Sequence, residues 1–204
     1  MLKLAVLVSG GGTNLQAIID SINCGEINAK IVKVVSNKSG VYALERAKEA
    51  DIACEVINAK SSKTLLQSVL ESEADLVVTA GFMRILESDF VEIFRNRIIN
   101  VHPSLIPAFC GKGFYGLRVH EAVINSGVKL TGATVHFVDE GCDSGPIIAQ
   151  KAVAVASGDT PESLQKKVME EAEWTLLPHV IGLIAKDLVK VADGKVYIEQ
   201  ECRG

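Results

Sequence analysis

Five residues in the middle of the chain, Asn100-Val101-His102-Pro103-Ser104, combine side chains that can do chemistry with a backbone that must present them. The apolar pair Ile98-Ile99 leads in, and Pro103 ends the segment because proline has no N–H to give to a strand ladder. On an extended chain alternate side chains share a face, so Asn100 and His102 point one way and Val101 the other. An amide donor and an imidazole then converge at a strand end, where open α/β sheets keep their ligands. The same geometry suits a strand-end histidine that only bonds a backbone carbonyl, so the rest of the chain has to decide.

The elements that must position these residues are legible as alternating patterns. Lys3 to Val8 reads as a buried strand, followed by the turn Ser9-Gly10-Gly11-Gly12-Thr13-Asn14 and a helix carrying Leu15, Ala17, Ile18, Ile19 and Ile22. Such a turn leaves N–H groups free at a helix N-terminus, where the dipole favours an anion. Leu15 stands where a third glycine would complete a dinucleotide fingerprint, and no Gly-Lys-Ser/Thr follows. The second strand, Ile31 to Val35, ends in Ser36-Asn37-Lys38 without an acid for a ribose diol. A single phosphate at Gly12, Thr13 and Asn14 is the functional reading, and a glycine turn required by packing is the bland one.

Tyr42 to Ala50 has helical character, Ala53 to Ile57 reads as a third strand and Ser62 to Ser72 as a helix. Leu76 to Ala80 reads as a fully apolar strand, ending at Gly81-Phe82-Met83-Arg84-Ile85-Leu86. Arg84 there serves either a ligand carboxylate or a structural ion pair. Met83, Ile85 and Leu86 line a pocket for a flat ring or pack in the core. Glu87 to Phe94 is a short helix before the strand that ends at His102. The alternation argues an α/β fold with a doubly wound, mainly parallel sheet.

Beyond Pro103, the run to Leu117 is a long connection with exposed Phe109, Phe114 and Tyr115, and its place beside His102 favours a lid. Val119 to Ser126 is a helix on which His120 is a surface or packing residue. In the strand Leu130 to Val138, Gly132, Thr134 and His136 share a face. The turn Asp139-Glu140-Gly141-Cys142-Asp143-Ser144-Gly145-Pro146 carries three carboxylates, and its glycines let the backbone aim Asp143; a solvated acidic turn is the alternative. Ile147 to Val155 is a further strand. Thr160 caps a helix with Pro161 in its first position, running to Leu188 with a kink near Pro178. Its Glu170, Glu171 and Glu173 form a solvated face, or one of them binds an amine. Val189 to Ile198 closes the chain as a hairpin.

Composition narrows the classes. The chain has 204 residues, 48% hydrophobic and 23% charged, with a formal net charge of −4 and no basic run, which leaves no footprint for nucleic acid. Leu4 to Val8 is too short for a signal or a membrane span, so a cytoplasmic protein is expected. The five cysteines form no C-x-x-C pair, which suggests neither a zinc site nor a disulfide framework. Without H-x-H, H-E-x-x-H or G-x-S-x-G, no metal and no serine nucleophile is expected. An acid–base site with an amide donor remains, suited to direct acyl transfer from one bound substrate to the amine of another. Asn100 and protonated His102 would hold the tetrahedral oxyanion, each donor contributing roughly 3–4 kcal/mol, with Asp143 as the accompanying carboxylate.

Gly10-Gly11-Gly12-Thr13-Asn14, Ala80-Gly81-Phe82-Met83-Arg84-Ile85-Leu86, Asn100-Val101-His102-Pro103-Ser104-Leu105 and Asp143-Ser144-Gly145-Pro146, in this order, resemble the phosphoribosylglycinamide formyltransferases. These are folate-dependent formyltransferases of purine synthesis. The resemblance spans essentially the whole chain and implies a Rossmann-like formyltransferase fold. It also implies formyl transfer from 10-formyltetrahydrofolate, as co-substrate and without a metal, to the amino group of glycinamide ribonucleotide. It puts the catalytic roles on Asn100, His102 and Asp143, with His136 in support. The nucleotide falls to Gly12, Thr13, Asn14 and Glu173. The folate falls to Met83, Arg84, Ile85, Leu86, Asn100, Asp139, Glu140, Gly141, Cys142 and Asp143, with Lys63 toward its tail. It divides a single domain into a nucleotide half, about residues 1–100, and a folate half, about 101–204. Three departures stand out. The C-terminal helix reads Glu173-Trp174 where the family has Glu-His and is one residue longer upstream. The lid carries Gly113-Phe114-Tyr115-Gly116-Leu117 where many relatives are shorter, and Lys63 matches the folate-tail position only loosely.

The resemblance extends to methionyl-tRNA formyltransferase and formyltetrahydrofolate deformylase, which share the catalytic domain. Each adds a further domain for which this chain has no room, so small-molecule partners are expected, as a monomer or homodimer, with no nucleic acid or membrane. A non-catalytic nucleotide-binding regulator is a different class, and it would leave Asn100, His102 and Asp143 without work.

Overall fold

The computed structural model describes residues 1–58 and 62–200. Strand β1 (Leu2–Val8) lies inside a seven-stranded sheet, with a neighbouring strand on each side. Leu4, Val6 and Val8 pack into one buried cluster, while Ala5 and Leu7 pack into another on the opposite face. That double burial is why the strand reads as a continuous apolar run. Around it come α1 (Thr13–Asn23), β2 (Ala29–Ser36), α2 (Tyr42–Glu49), β3 (Cys54–Val56), α3 (Ser62–Glu71), β4 (Leu76–Thr79), α4 (Ser88–Ile93) and β5 (Ile98–His102). Then follow α5 (Leu117–Ser126), β6 (Leu130–Phe137), β7 (Ile147–Ala154), α6 (Pro161–Val168), a π-helical turn (Met169–Glu173), α7 (Trp174–Ala185) and the hairpin β8 (Val189–Ala192) with β9 (Lys195–Ile198).

The sheet order is β3-β2-β1-β4-β5-β6-β7. The first five strands are parallel and the last two antiparallel, so the mainly parallel, doubly wound α/β expectation holds. Helices α1, α2, α5, α6 and α7 cover one face, and α3 and α4 the other. The register decides the chemistry. Thr79 of β4 lies beside Asn100 of β5, and Asn100 lies opposite His136 of β6, so three strands put three polar residues in one row. The next row pairs His102 with Thr134 and Thr134 with Gln150.

Four expectations need correction. The third strand has three residues rather than five, because only Cys54 to Val56 pair with β2. The C-terminal helix is broken by the π turn at Met169–Glu173 and runs on unbroken through Pro178. A π turn holds one more residue than a turn of α-helix, and the helix continues on either side of it. Phe109 and Phe114 are half-buried and meet edge-on with centroids 6.4 Å apart; only Tyr115 is exposed. β4 is not fully apolar, because Thr79 is buried in it at 6% exposure.

The turn after β1 shows why one of its glycines is needed. Gly12 has φ 72°, and a Cβ there would come within 2.7 Å of the Ala43 methyl and 2.8 Å of its Cα. Gly12→Ala therefore combines a left-handed backbone with overpacking and should destabilise the protein by about 3 kcal/mol. Urea unfolding checks this, and a loss below about 0.5 kcal/mol would remove the packing argument.

Candidate active site

Asn100 sits between two fixed partners. Its Oδ1 accepts from the Thr79 hydroxyl at 2.7 Å, and its Nδ2 lies 3.2 Å from His136 Nε2. The other ring nitrogen of His136, Nδ1, faces the Phe137 carbonyl at 2.8 Å. A carbonyl only accepts, so Nδ1 carries the proton and Nε2 is a lone pair that takes one N–H of Asn100. Burial pushes the His136 pKa below its ordinary value, although the Phe137 carbonyl and Asp143 oppose the shift, so the ring stays neutral. One N–H of Asn100 is left to point out of the row, from a half-exposed side chain.

His102 is 4% exposed, and its Nε2 donates to the Phe109 carbonyl at 2.9 Å. The backbone-carbonyl reading of this histidine is thus realised alongside the chemical one. Its Nδ1 faces Asp143 Oδ2 at 3.6 Å, while Asp143 Oδ1 lies 3.7 Å from His136 Nε2. The Gly111 N–H donates to Asp143 Oδ2 at 2.9 Å. Asp143 has φ 56° and Phe109 φ 52°, conformations that cost about 1 kcal/mol or more each and that gather at functional sites. The loop after Pro103 is fastened to the sheet at its start. Thr134 donates to the Ser104 carbonyl at 2.6 Å and accepts from the Ile106 N–H at 3.1 Å, and Gln150 donates to the Ile106 carbonyl at 2.9 Å.

At the end of β1 the first helical bond of α1 runs from Gln16 N–H to the Gly12 carbonyl at 2.9 Å. No side chain caps the helix, so the N–H groups of Thr13, Asn14 and Leu15 lack helical acceptors and suit an anion. Asn14 itself turns inward: its Nδ2 donates to Glu173 Oε2 at 2.6 Å. The Asn14 side-chain amide is thus committed to a carboxylate 159 residues away, while its backbone N–H stays at the helix start. Glu173 is 6% exposed, and burial pushes its pKa up while the Asn14 amide pulls the other way. Glu170 and Glu171 form the solvated face.

Ser9 ties the loops together, accepting from the Met83 N–H at 2.8 Å and donating to Asn37 at 2.7 Å. Met83 and Ile85 are open to solvent, whereas Leu86 packs on the α3–α4 cluster. Arg84 faces Glu87 at 3.7 Å, which favours the ion-pair reading over a ligand carboxylate. Asp139 closes its own turn by accepting from Gly141 N–H at 3.0 Å and from Ser144 at 2.7 Å, and Glu140 faces Arg95 at 3.8 Å. Cys142 adjoins Asp143, and burial first and the Asp143 charge second push its thiol and that of Cys110 up, so neither is a ready thiolate. Lys63 lines a groove with Glu55, Gln67 and Glu71 that shares no residue with this cluster. Cys24, Cys54, Cys110 and Cys142 are free, and Cys202 lies outside the described residues.

Comparison with known proteins identifies the family and the fold. The Formyl transferase family matches residues 2–181. The chain belongs to that family. Glycinamide ribonucleotide transformylase 1 of Symbiobacterium toebii superposes with a TM-score of 0.90 at 39% identity, over 98% of this chain and 95% of that one. The phosphoribosylglycinamide formyltransferase of Haemophilus influenzae is 38% identical over 98% of this chain and 94% of its own length. A trifunctional purine biosynthetic protein of Gallus gallus is 44% identical over 95% of this chain, which spans only 20% of that relative. A formyltetrahydrofolate deformylase of Pseudomonas syringae shares the fold at a TM-score of 0.86 with 26% identity, this chain spanning 66% of it. Among the described residues no helix is long and apolar enough to cross a membrane, and no group of His, Cys, Asp and Glu is placed to hold a metal ion.

This cluster contains groups that residue types alone did not single out: the Thr79 hydroxyl, the Phe109 carbonyl and the Gly111 N–H. His120 is another. It is fully buried, neither ring nitrogen has a hydrogen-bond partner, and burial with the nearby His102 lowers its pKa from 6.5 to about 4. The unfolded chain then binds a proton that the folded protein refuses. The associated stability is fully present above pH 6.5 and is lost as pH falls toward about 4. Lowering pH from about 7 to about 5 should cost roughly 2 kcal/mol through this ring. Unfolding free energies at the two pH values should show that drop in the wild type and a flatter dependence in His120→Leu; parallel curves would show that His120 does not carry it.

Proposed function

We propose that the protein transfers a formyl group from 10-formyltetrahydrofolate to the amine of glycinamide ribonucleotide, through a tetrahedral intermediate and without a covalent enzyme adduct. The supporting observation is the meeting of an oriented amide donor, Asn100, with a carboxylate, Asp143, that faces two imidazoles at the sheet edge where β1, β4 and β5 end. The amine attacks the formyl carbon, and the carbonyl electrons move to oxygen. The free N–H of Asn100 donates to that oxyanion, and fixed donors of this kind contribute roughly 3–4 kcal/mol each. His102 joins it by exchanging the Phe109 carbonyl for the formyl oxygen when substrate enters. Asp143 takes the proton of the attacking nitrogen and hands it on toward the folate nitrogen as that bond breaks. His136 remains neutral and holds Asn100.

The nucleotide phosphate lies against the free N–H groups of Thr13 and Asn14 that Gly12 exposes, and Glu173, braced by Asn14, meets the nucleotide from the π turn. The folate ring lies between Met83 to Leu86 and the turn Asp139 to Asp143, where Met83 and Ile85 leave apolar surface open. Lys63, on its separate groove, has no part in this reading.

The test is turnover of 10-formyltetrahydrofolate with glycinamide ribonucleotide, with water alone and with initiator tRNA. Transfer to the ribonucleotide is expected; hydrolysis without transfer would favour a deformylase. Asp143→Asn should lower kcat by about a hundredfold or more while nucleotide Kd changes little. Equal losses in both quantities would contradict the proton-transfer role.

A further inference from the structure

We propose that Thr79 is a positioning residue for Asn100: its hydroxyl fixes which way the amide faces and so directs the one free N–H at the reacting oxygen. This rests on the formyl-transfer reading of the site. Thr79 is the polar end of the otherwise apolar strand Leu76–Thr79, and is 6% exposed. Its Oγ1 lies 2.7 Å from Asn100 Oδ1 and 3.2 Å from the Ile99 carbonyl. The hydroxyl has one proton for two acceptors, and the nearer is the amide oxygen.

The row then has a single direction. The His136 Nδ1–H is held by the Phe137 carbonyl, its lone pair takes an N–H of Asn100, and the amide oxygen takes the Thr79 proton. An amide turned over would set its oxygen against the His136 lone pair and its nitrogen against the hydroxyl. It would also present an acceptor where the oxyanion forms. His136 secures one end of the amide and Thr79 the other. Removing the hydroxyl leaves Oδ1 without this donor and lets a half-exposed side chain sample other rotations. Valine has almost the shape of threonine but no proton to give, so Thr79→Val isolates the hydroxyl, and Thr79→Ser restores it.

In formyl-transfer kinetics, Thr79→Val should lower kcat about tenfold with both KM values within about twofold, and Thr79→Ser should recover most of the loss. In an Asn100→Ala background, adding Thr79→Val should change kcat by less than about twofold, because the amide it directs is gone. A wild-type kcat in Thr79→Val, a loss confined to KM, or an equal loss in Thr79→Ser would each overturn the proposal. A second readout needs no turnover. The Asn100 side-chain amide, assigned by its absence in Asn100→Asp, should exchange with solvent faster in Thr79→Val than in the wild type and at the wild-type rate in Thr79→Ser. If the wild type transfers no formyl group the reading of the site falls, and unchanged exchange in Thr79→Val would then dispose of the positioning role separately.

Discussion

A single carboxylate, that of Asp143, holds the site together. Its side chain is 14% exposed, takes an N–H from Gly111 and faces the rings of His102 and His136 at 3.6 and 3.7 Å. A charge this enclosed is costly unless polar groups surround it, and the β5–α5 loop supplies a hydrogen-bond donor, the Gly111 N–H, while β5 and β6 bring the two rings alongside. The loop that supplies Gly111 also supplies the Phe109 carbonyl to His102, so one segment restrains both members of the pair. The two positive φ values, at Phe109 and Asp143, are the backbone cost of that arrangement.

The sheet supplies the alignment. Because β6 runs antiparallel to β5, Asn100 faces His136 across a directly opposed pair. The antiparallel turn-back puts Thr79, Asn100 and His136 in one row, and His102, Thr134 and Gln150 in the next. The first row orients a donor. The second fastens the loop through Thr134 and Gln150, so both rows serve the ends of one strand. At the far side the π turn does comparable work, ending at Glu173, whose carboxylate meets Asn14.

Asn100 and His102 were legible because a period of two and a terminating proline are local properties of the chain. The same holds for the alternation of strands and helices and for the Thr160–Pro161 helix start, which the structure completes with a Thr160–Ser163 capping box. Gly12 also carried its signal locally, as a turn where only glycine fits. Contacts between distant segments were not legible. Asn14 and Glu173 lie 159 residues apart, and nothing in either neighbourhood announces the other. Thr79 escaped because a hydroxyl inside an apolar run reads as filler until its cross-strand neighbour is known. The Phe109 carbonyl and Gly111 N–H belong to the backbone and have no side-chain signature. The π turn escaped because apolar spacing is almost the same on both sides of it.

The central claim is that the neutral His136, protonated on Nδ1, leaves a lone pair that orients Asn100 toward the reacting oxygen. Nitrogen-15 NMR of the histidine rings tests it directly in the ligand-free protein. The His136 signals should report a proton on Nδ1 and a bare Nε2 at neutral pH, with the second proton added only below the ordinary histidine midpoint of about 6.5. A proton on Nε2, or a ring already doubly protonated near pH 6.5, would contradict the account.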